Sequence, residues 1–197
     1  MGWTVPDDLL IRPYRPADER DWLRCRVLSF LSTAYFDDIA TSRPRYDQPS
    51  IELVAERAGV LVGVLDLTLP DDPAEAATVE TVAVHPDHQG RGTATALLGE
   101  AARLAAGRCA QVEAWTRDDQ GTLRWYAARG MVEDSHCLHV YVDWDEAVAP
   151  EGDRIDGLRL VKGFLHCTDM TREAELRRRF RRVHVCRRMA AALDGLR

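Results

Sequence analysis

Apolar residues follow two different periods in the middle of the chain. Val79, Val82 and Val84 belong to a short run rich in β-branched residues, which predicts a buried strand. Residues 85–88 (His-Pro-Asp-His) predict a turn, because proline ends strands and aspartate favours turn geometry. Over residues 94–105 the apolar positions recur at helical spacing, and a glycine follows at position 107 as a stop. The pattern therefore predicts a strand, a turn and a helix in direct succession.

The same periods predict further elements on both sides of this unit. Strands are predicted at residues 9–14, 51–58, 59–69, 110–115, 131–142, 158–164 and 182–187. Helices are predicted at residues 16–34, 120–129 and 171–180, the last with Thr171 as its N-cap. Loops are predicted at residues 35–50 and 146–157, where proline, glycine and charged residues accumulate.

Two details of this pattern bear on the tertiary structure. A helix connects the strand at residues 79–84 to the strand at residues 110–115, so we expect these two strands to be parallel, with a right-handed crossover. In the first helix, the buried face is predicted from residues at helical spacing, which are Leu23, Val27, Phe30, Leu31 and Ala34.

Composition places the chain among globular proteins. It has 197 residues, 46% of them hydrophobic and 29% charged, which suits one sizeable core. No apolar run approaches the roughly 20 residues that span a bilayer, and the first residues lack the basic and apolar regions of a signal peptide. The five cysteines are odd in number and contain no C-x-x-C pair, which argues against zinc or a disulfide framework. We therefore expect a cytoplasmic protein with reduced thiols, no metal and no membrane partner.

Charge is unevenly distributed along the chain. Eight arginines and two glutamates give residues 172–188 a charge of +6, so the remainder carries −12 within the net charge of −6. An acidic body favours a cationic amine substrate by electrostatic steering. The basic segment could bind nucleic acid or an acidic partner, but such runs are more often solvated helix faces with their charges balanced elsewhere. We favour the second interpretation and do not expect nucleic acid as a partner.

The loop before the central helix has the features of a phosphate site. Gly90 and Gly92 flank a helix N-terminus, where unpaired N–H groups and the helix dipole favour an anion, and Arg91 could add a charged contact. A Walker A loop is excluded because no Lys-Ser/Thr follows the last glycine. The dinucleotide fingerprint fails because Thr95 stands where a third glycine or alanine is required. The residues alone leave phosphate binding and an ordinary strand-turn-helix corner equally open.

This loop resembles motif A of the GNAT superfamily, the acetyl-CoA-dependent N-acetyltransferases. That motif reads Gln/Arg-x-x-Gly-x-Gly/Ala, and residues 89–94 read Gln-Gly-Arg-Gly-Thr-Ala. The strand segment that leads into this motif is also typical of the family, because residues 82–86 read Val-Ala-Val-His-Pro.

A second resemblance to the family follows in register. GNAT proteins often carry Tyr-x-x-x-Gly-Phe after the next strand, and this chain has Tyr126 and Gly130 with Met131 in place of Phe. Asp119 stands where the family usually has Asn, which puts that residue's contact to the pantetheine in doubt.

The resemblance implies a fold, a cosubstrate and a set of contacts. The implied fold is of the α/β (α+β) class, a GNAT-like mixed, mostly antiparallel central sheet with a parallel pair at the cofactor site, flanked by helices. The implied cosubstrate is acetyl-CoA, whose pyrophosphate binds the loop amides and whose pantetheine arm runs along the strand before the loop. The implied cofactor-binding residues are Val82, Ala83, Val84, Gln89, Gly90, Arg91, Gly92, Thr93, Ala94, Asp119 and Tyr126.

Acetyl transfer to an amine requires a neutral nucleophile, because a lysine-like amine is mostly protonated near neutral pH. Glu80, on the predicted central strand, is our candidate base, since a charge on a buried strand needs a partner or a function. We expect Glu80 to share a face with Val82 and Val84. A salt bridge to an arginine, or a position at the solvated end of the strand, would also explain Glu80, and His85 is a rival base. Tyr126 is the candidate acid for the departing thiolate, although it could simply pack in the core.

The acceptor side is less constrained by the sequence. In GNAT enzymes the region after the first helix commonly lines the acceptor site, which makes Tyr35, Asp37 and Asp38 candidate substrate contacts, together with Trp115. A primary amine of a small molecule or peptide is the expected acceptor, and direct attack without a cysteine nucleophile is expected. Two alternatives stay open: a catalytically inactive acyl-CoA-binding regulatory module, and a binder of nucleic acid or an acidic partner through the arginine-rich segment.

The resemblance ends near residue 145. We expect residues 1–145 to form the acetyltransferase domain and residues 146–197 to form a strand-helix-strand extension. The extension is expected to pack on the same domain or in a homodimer contact, because about 40 residues rarely support an independent core.

Overall fold

The computed structural model describes residues 6–146 and 161–196. Its strands are β1 (Leu10–Pro13), β2 (Ser50–Arg57), β3 (Val60–Thr68), β4 (Ala76–Val84), β5 (Gln111–Thr116), β6 (Val132–Val142), β7 (Gly163–Cys167) and β8 (Arg182–Ala192). Its α-helices are α1 (Glu19–Phe30), α2 (Thr93–Ala105), α3 (Gln120–Ala128) and α4 (Glu173–Arg179). The predicted strand-turn-helix succession is confirmed as β4, a short 3₁₀ turn at Pro86–His88, and α2.

The eight strands form one sheet in the order β1-β2-β3-β4-β5-β8-β6-β7. The β4–β5 pair is parallel, and the other described pairs are antiparallel. The mixed, mostly antiparallel sheet with one parallel pair is therefore confirmed, as is the parallel arrangement expected from the connecting helix.

The parallel pair opens into a gap after a few residues. β4 and β5 are paired only where Ala76–Thr78 lie beside Gln111–Glu113. β8 pairs with β5 along its whole length, from Gln111 to Thr116, so β5 follows β8 and separates from the second half of β4. The backbone edge of β4 beyond Thr78 therefore faces a gap in the sheet.

Helices cover both faces of the sheet around this gap. On one face α2 buries Leu97, Leu98 and Ala101 against apolar side chains of β2, β3 and β4. Gly63 of β3 allows this close approach, because a Cβ there would lie 2.8 Å from Thr93 Cγ2. On the other face α1 packs on β3 and β4 around fully buried Trp22.

The buried face of α1 agrees only in part with the predicted one, in that Leu23 and Phe30 are partly buried against the core. The residues that α1 buries are Trp22, Cys25, Arg26 and Ser29, whereas Leu31 is 60% exposed. The prediction followed apolar side chains alone, but this face also satisfies polar groups: Ser29 donates to the Val84 carbonyl at the end of β4, and Arg26 donates to the Asp38 carbonyl in the loop after α1.

The C-terminal segment contributes to the central sheet. β8 lies between β5 and β6, and α4 packs Leu176 beside Phe180 on the apolar side chains of β6 and β8. The proposed division of the chain at residue 145 stays a prediction. Among the described residues, no helix combines the length and apolar character needed to cross a bilayer.

Three local predictions in this segment need correction. Thr171 is not the N-cap: a 3₁₀ turn at Met170–Arg172 precedes α4, and the Asp169 carboxylate accepts the Thr171 N–H at 3.0 Å. β7 begins at Gly163, later than predicted, and residues 158–160 lie outside the described part, as does most of the predicted loop at 146–157. β8 continues to Ala192, because it has strand partners on both sides.

Candidate functional site

The loop before α2 adopts a backbone conformation that favours glycine. Gly90 has φ +71° and Gly92 has φ +78°, a region that L-residues rarely enter. Among residues 6–146 and 161–196, no atom lies within 4 Å of a Cβ built at Gly90, so the backbone angle, not crowding, requires glycine there. Arg91 between them is exposed, and its carbonyl accepts a hydrogen bond from Arg57 Nη2 at 3.4 Å.

The N-terminus of α2 is open to an anion. Gly92 occupies the cap position, and no side chain of the described residues caps the helix. The helical hydrogen bonds begin with Ala96 N–H to the Gly92 carbonyl, at 2.9 Å. The preceding N–H groups of the first turn therefore point out of the helix end, where the helix dipole adds partial positive charge.

A cavity of about 750 Å³ lies against this loop. Nine residues of the predicted cofactor-binding set line it: Val82, Ala83, Val84, Gln89, Gly90, Gly92, Thr93, Ala94 and Asp119. The sequence did not indicate the rest of the wall, which includes Ser29, Ser32 and Thr33 from α1 and the turn after it, and Trp125 and Arg129 from α3 and its C-terminus. A helical spacing of three and four residues links Ser29, Ser32 and Thr33, and this spacing is the signal that could have revealed them.

Gln89 and Ser29 together fix the end of β4. Gln89 Nε2 donates to the Val84 carbonyl at 3.0 Å, and Ser29 Oγ donates to the same carbonyl at 2.7 Å. The motif glutamine therefore ties the loop to the strand that precedes it.

A second, smaller cavity of about 210 Å³ lies in the gap between β4 and β5. It shares Val82, Ala83, Gln89 and Asp119 with the first cavity, so the two adjoin along the free edge of β4. Its wall also contains predicted catalytic and substrate residues, namely Glu80, Tyr126, Tyr35, Asp38 and Trp115. The structure thus brings the glycine loop and these side chains to one continuous site.

Glu80 lies at a bulge in β4. Val79 pairs with Leu67 and Thr81 pairs with Asp66, which leaves Glu80 as the extra residue on its strand. Its carboxylate is exposed and accepts a hydrogen bond from Thr68 Oγ1 at 2.9 Å. The expected burial of Glu80 is therefore wrong.

The expectation that Glu80 and Val82 lie on the same face of the strand is also wrong. A bulge interrupts the alternation of a strand and re-aims side chains. Val82 packs on the face of the sheet that α2 covers, and its strand partner is Leu65. Glu80 accepts a hydrogen bond from Thr68. Asp66, two residues before Thr68 on the same strand, contacts Tyr46 on the other face of the sheet. The bulge places the carboxylate at the wall of the smaller cavity.

Tyr126 is almost completely buried, with 3% of its surface exposed. Burial raises the pKa of its phenol above the ordinary value, and the nearby Tyr35 acts in the same direction. The hydroxyl is therefore protonated at neutral pH and can donate a hydrogen bond or a proton. The ring is held edge-on against Trp125, with centroids 4.8 Å apart.

Asp119 has a structural role that explains the departure from asparagine. It is the N-cap of α3, and its Oδ1 accepts the Thr122 N–H at 2.7 Å. Asp and Asn cap helices about equally well, so either residue positions α3 at the cavity wall.

The predicted substrate residues divide into two groups. Tyr35, Asp38 and Trp115 line the smaller cavity, whereas Asp37 pairs with Arg182 of β8, with Oδ1 2.8 Å from Nη2. Hydrogen bonding to Arg182 holds the pKa of Asp37 below its usual value.

His85, the rival base, accepts the Asp87 N–H at Nδ1 and has the role of a turn residue.

Two arginines that the sequence did not indicate contact the predicted substrate residues Tyr35 and Asp38. Arg26 of α1 contacts Asp38, with Nη2 3.0 Å from Oδ2. The Arg117 backbone N–H donates to Tyr35 Oη at 2.9 Å, its guanidinium lies 4.1 Å from the centre of the Tyr35 ring, and it also donates to Tyr141 Oη. Tyr35 and Asp38 are thus held in place by cationic side chains rather than left mobile in a loop.

The arginine-rich segment is largely neutralised by local carboxylates, as the favoured interpretation of its charge requires. Ion pairs with Asp or Glu are made by Arg172, Arg177, Arg181, Arg182, Arg187 and Arg188. The expectation that nucleic acid is not a partner stays a prediction.

Comparison with known proteins identifies the family of the chain. The family model for the acetyltransferase (GNAT) family matches residues 11–131, which is more than half of the chain. A search of curated proteins found no match.

Solved structures share the fold at low sequence identity. The ribosomal-protein-S18-alanine N-acetyltransferase of Escherichia coli is 13% identical, with 94% of each chain covered and a TM-score of 0.59. A GNAT family acetyltransferase of Elizabethkingia anophelis, solved with acetyl-CoA bound, is 16% identical, with 95% of this chain and 99% of that chain covered and a TM-score of 0.51. A tandem GNAT protein from the clavulanic acid biosynthesis pathway is 22% identical over 73% of this chain, with a TM-score of 0.58, and the match spans 53% of that protein.

Proposed function

The chain belongs to the GNAT family of acetyltransferases, and on this premise we propose that it transfers the acetyl group of acetyl-CoA directly to a primary amine of a small molecule or peptide. The observation that carries the proposal is the continuity of the two cavities, with an anion-binding helix end in one and a carboxylate and a phenol in the other.

The larger cavity suits the nucleotide end of acetyl-CoA. The pyrophosphate would bind the first-turn N–H groups of α2 and the backbone of Gly90 and Gly92, where no Cβ obstructs its approach. The pantetheine arm would lie along the edge of β4 beyond Thr78, where no described strand pairs with the backbone on the side of the gap. The thioester would then reach the smaller cavity.

The smaller cavity offers groups for both proton transfers. Glu80 would accept a proton from the amine, directly or through water, because its carboxylate is exposed at the cavity wall. The neutral amine forms the new C–N bond as the C–S bond breaks. Tyr126 would donate its proton to the departing CoA thiolate, since its raised pKa keeps the phenol protonated. The Glu80 proton would restore the phenol through solvent.

The acceptor would be cationic in solution, in keeping with the carboxylates that line the smaller cavity. Glu80, Asp38 and Asp119 all line the smaller cavity, and the Arg26 guanidinium pairs with Asp38. An ammonium group is attracted to such a wall before it loses its proton.

The first experiment is thermal unfolding with acetyl-CoA, CoA, NAD and ATP at matched concentrations. A ligand at 100 times its Kd stabilises the folded state by about 2.7 kcal/mol, which is roughly 5–10 °C in Tm for a chain of this size. We expect a shift with acetyl-CoA and CoA alone, followed by release of free thiol when an amine panel is added. A shift without thiol release from any amine would instead indicate a binding module, and no shift with CoA would refute the proposal.

A matched pair of glycine variants tests the position of the cofactor. Gly92 and Gly59 have φ of +78° and +77°, and Gly59 lies in the β2–β3 turn with nothing within 4 Å of a built Cβ. Alanine at either position pays a similar backbone strain of about 1–2 kcal/mol. We expect Gly92→Ala alone to weaken the acetyl-CoA-dependent shift. Equal weakening in Gly59→Ala would show a general effect of lowered stability.

A further inference from the structure

Strand pairing in the C-terminal half of the sheet gathers cysteine and histidine on one face. In the β6–β7 register His139 lies opposite His166, and in the β6–β8 register His139 lies opposite His184 and Cys137 lies opposite Cys186. Directly opposed residues of antiparallel strands share a face, and so do residues two apart on one strand. These five residues therefore form one patch across three strands, and none of them lines either of the cavities at β4.

Three of these side chains converge closely. Cys137 Sγ and a ring nitrogen each of His139 and His166 lie within 4.8 Å of one another. The rings of His139 and His166 meet nearly edge to face, with centroids 5.8 Å apart.

The patch contains a buried polar atom that no protein group satisfies. His139 Nδ1 is inaccessible to solvent and has no hydrogen-bond partner among the described residues. Such an atom costs free energy unless a further ligand is bound, and buried orphan groups are rare in native proteins. The neighbouring His184 is not in this position, because its Nδ1 contacts Asp118 Oδ1 at 2.8 Å.

We propose that Cys137, His139 and His166 bind a divalent transition metal ion, with Zn²⁺ as the representative ion. Thiolate and imidazole are ligands that zinc prefers, whereas magnesium and calcium require the oxygen ligands that this triad lacks. Binding converts the Cys137 thiol to a thiolate and releases its proton to solvent. The fourth position of the tetrahedron is left for water, as in other three-ligand zinc sites.

The required rearrangement is small. Zn–S and Zn–N bonds of about 2.3 and 2.1 Å imply tetrahedral ligand separations of roughly 3.3–3.6 Å. The three atoms, already within 4.8 Å, need to approach by about 1 Å or slightly more, which side-chain rotation supplies. His166 is exposed on the edge strand β7 and is free to make this movement.

The metal would stabilise the edge strand of the sheet. β7 is five residues long and pairs only with β6 among the described strands. Two ligands lie on β6 and the third on β7, so the ion would cross-link the edge strand to its neighbour. This site has only a weak signal in the sequence, because two ligands form a Cys-x-His pair on one strand and the third is 27 positions further on.

The test is titration of the metal-free, untagged full chain with Co²⁺ alone under reducing conditions, followed by displacement with Zn²⁺. We expect one equivalent of Co²⁺ to give tetrahedral d–d absorption and a thiolate-to-cobalt charge-transfer band, both lost when Zn²⁺ is added. Zn²⁺ should also raise Tm. These readouts do not depend on acetyl transfer, so they stand apart from the proposed activity.

Variants identify the ligands. Cys137→Ser should abolish the charge-transfer band, and His166→Ala should weaken Co²⁺ binding by at least the 10–100-fold that loss of a supporting residue costs. His166 is exposed, so its variant is expected to fold normally. Cys167→Ser is the matched control, because Cys167 adjoins His166 but pairs with Leu138 and faces the opposite side. The proposal is overturned if no charge-transfer band forms, if binding survives in both ligand variants, or if Cys167→Ser loses it equally.

Discussion

Replacing Gly63 with alanine tests how α2 is positioned on the sheet. A Cβ at this position would lie 2.8 Å from Thr93 Cγ2, 3.1 Å from Leu97 Cδ1 and 3.4 Å from Ala55 Cβ. The shortest of these is about 1 Å inside the optimum of roughly 3.5–4.0 Å between carbon atoms. Thr93 is β-branched and 2% exposed, and Leu97 is fully buried, so neither side chain has space to turn away. The N-terminal turn of α2 must then shift outward.

The expected cost is that of overpacking a core, about 1–3 kcal/mol. For chains of 150–250 residues each kcal/mol changes Tm by about 2–4 °C, so we expect Tm to fall by about 2–12 °C. Thr93 directly follows Gly92, and the same shift displaces the N–H groups of the glycine loop. Acetyl-CoA should therefore raise the Tm of Gly63→Ala less than it raises that of the wild-type chain.

The assay is differential scanning fluorimetry with and without acetyl-CoA, with Gly195→Ala as the control. At Gly195 the nearest atom to a built Cβ is Ala192 Cβ at 3.9 Å, an ordinary contact, and φ is not in the left-handed region. This control should keep the wild-type Tm. A Gly63→Ala variant with wild-type Tm and an unchanged response to acetyl-CoA would refute the idea that this glycine sets the position of α2.

Three further predictions concern single polar groups. Glu80→Gln should lower kcat/KM by about 10²–10⁴-fold with Tm unchanged, because an exposed general base is lost, and an unchanged rate with any accepted amine would exclude that role. Tyr126→Phe should lower kcat while the KM for acetyl-CoA stays constant, and steady-state kinetics in which only KM rises would contradict a proton-donor role. Asp18→Asn should cost about 1.5–3 kcal/mol at neutral pH through the loss of charged hydrogen bonds to Arg12. Those bonds lower the pKa of Asp18, so its contribution is complete above the unfolded pKa near 3.9 and is lost as pH falls through the lower folded pKa. Thermal unfolding from pH 7 to pH 2.5 should show the gap to wild type closing only in acid.

Local sequence determined most of the elements around the site. The β-branched run predicted β4, the helical spacing predicted α2, and Gly130 marked the end of α3. These signals depend on backbone propensity and on neighbours within a few residues, which is why they survive without tertiary information. The need for glycine at positions 90 and 92 belongs to this group, because it follows from a local backbone angle.

The register in which neighbouring strands pair could not be predicted from local sequence. The bulge that exposes Glu80 arises where β4 pairs with β3, and alternation along β4 alone placed the same carboxylate in the core. The polar part of the buried face of α1 was missed for a related reason, because Ser29 donates a hydrogen bond to the Val84 carbonyl, which is 55 positions further along the chain.

Residue patterns were enough to predict a strand, a glycine loop and a helix able to hold a phosphate, together with a family resemblance. The insertion of β8 between β5 and β6 is visible only in the folded chain, where it opens the gap beside β4 and assembles Cys137, His139 and His166 on one face. Strand order depends on hydrogen bonding and packing between segments that are far apart in the chain, since Cys137 pairs with Cys186, 49 positions further on, and Ala114 pairs with Met189, 75 positions further on. Local propensity contains no information about such pairing, whereas the turn at Gly92 is complete within its own few residues.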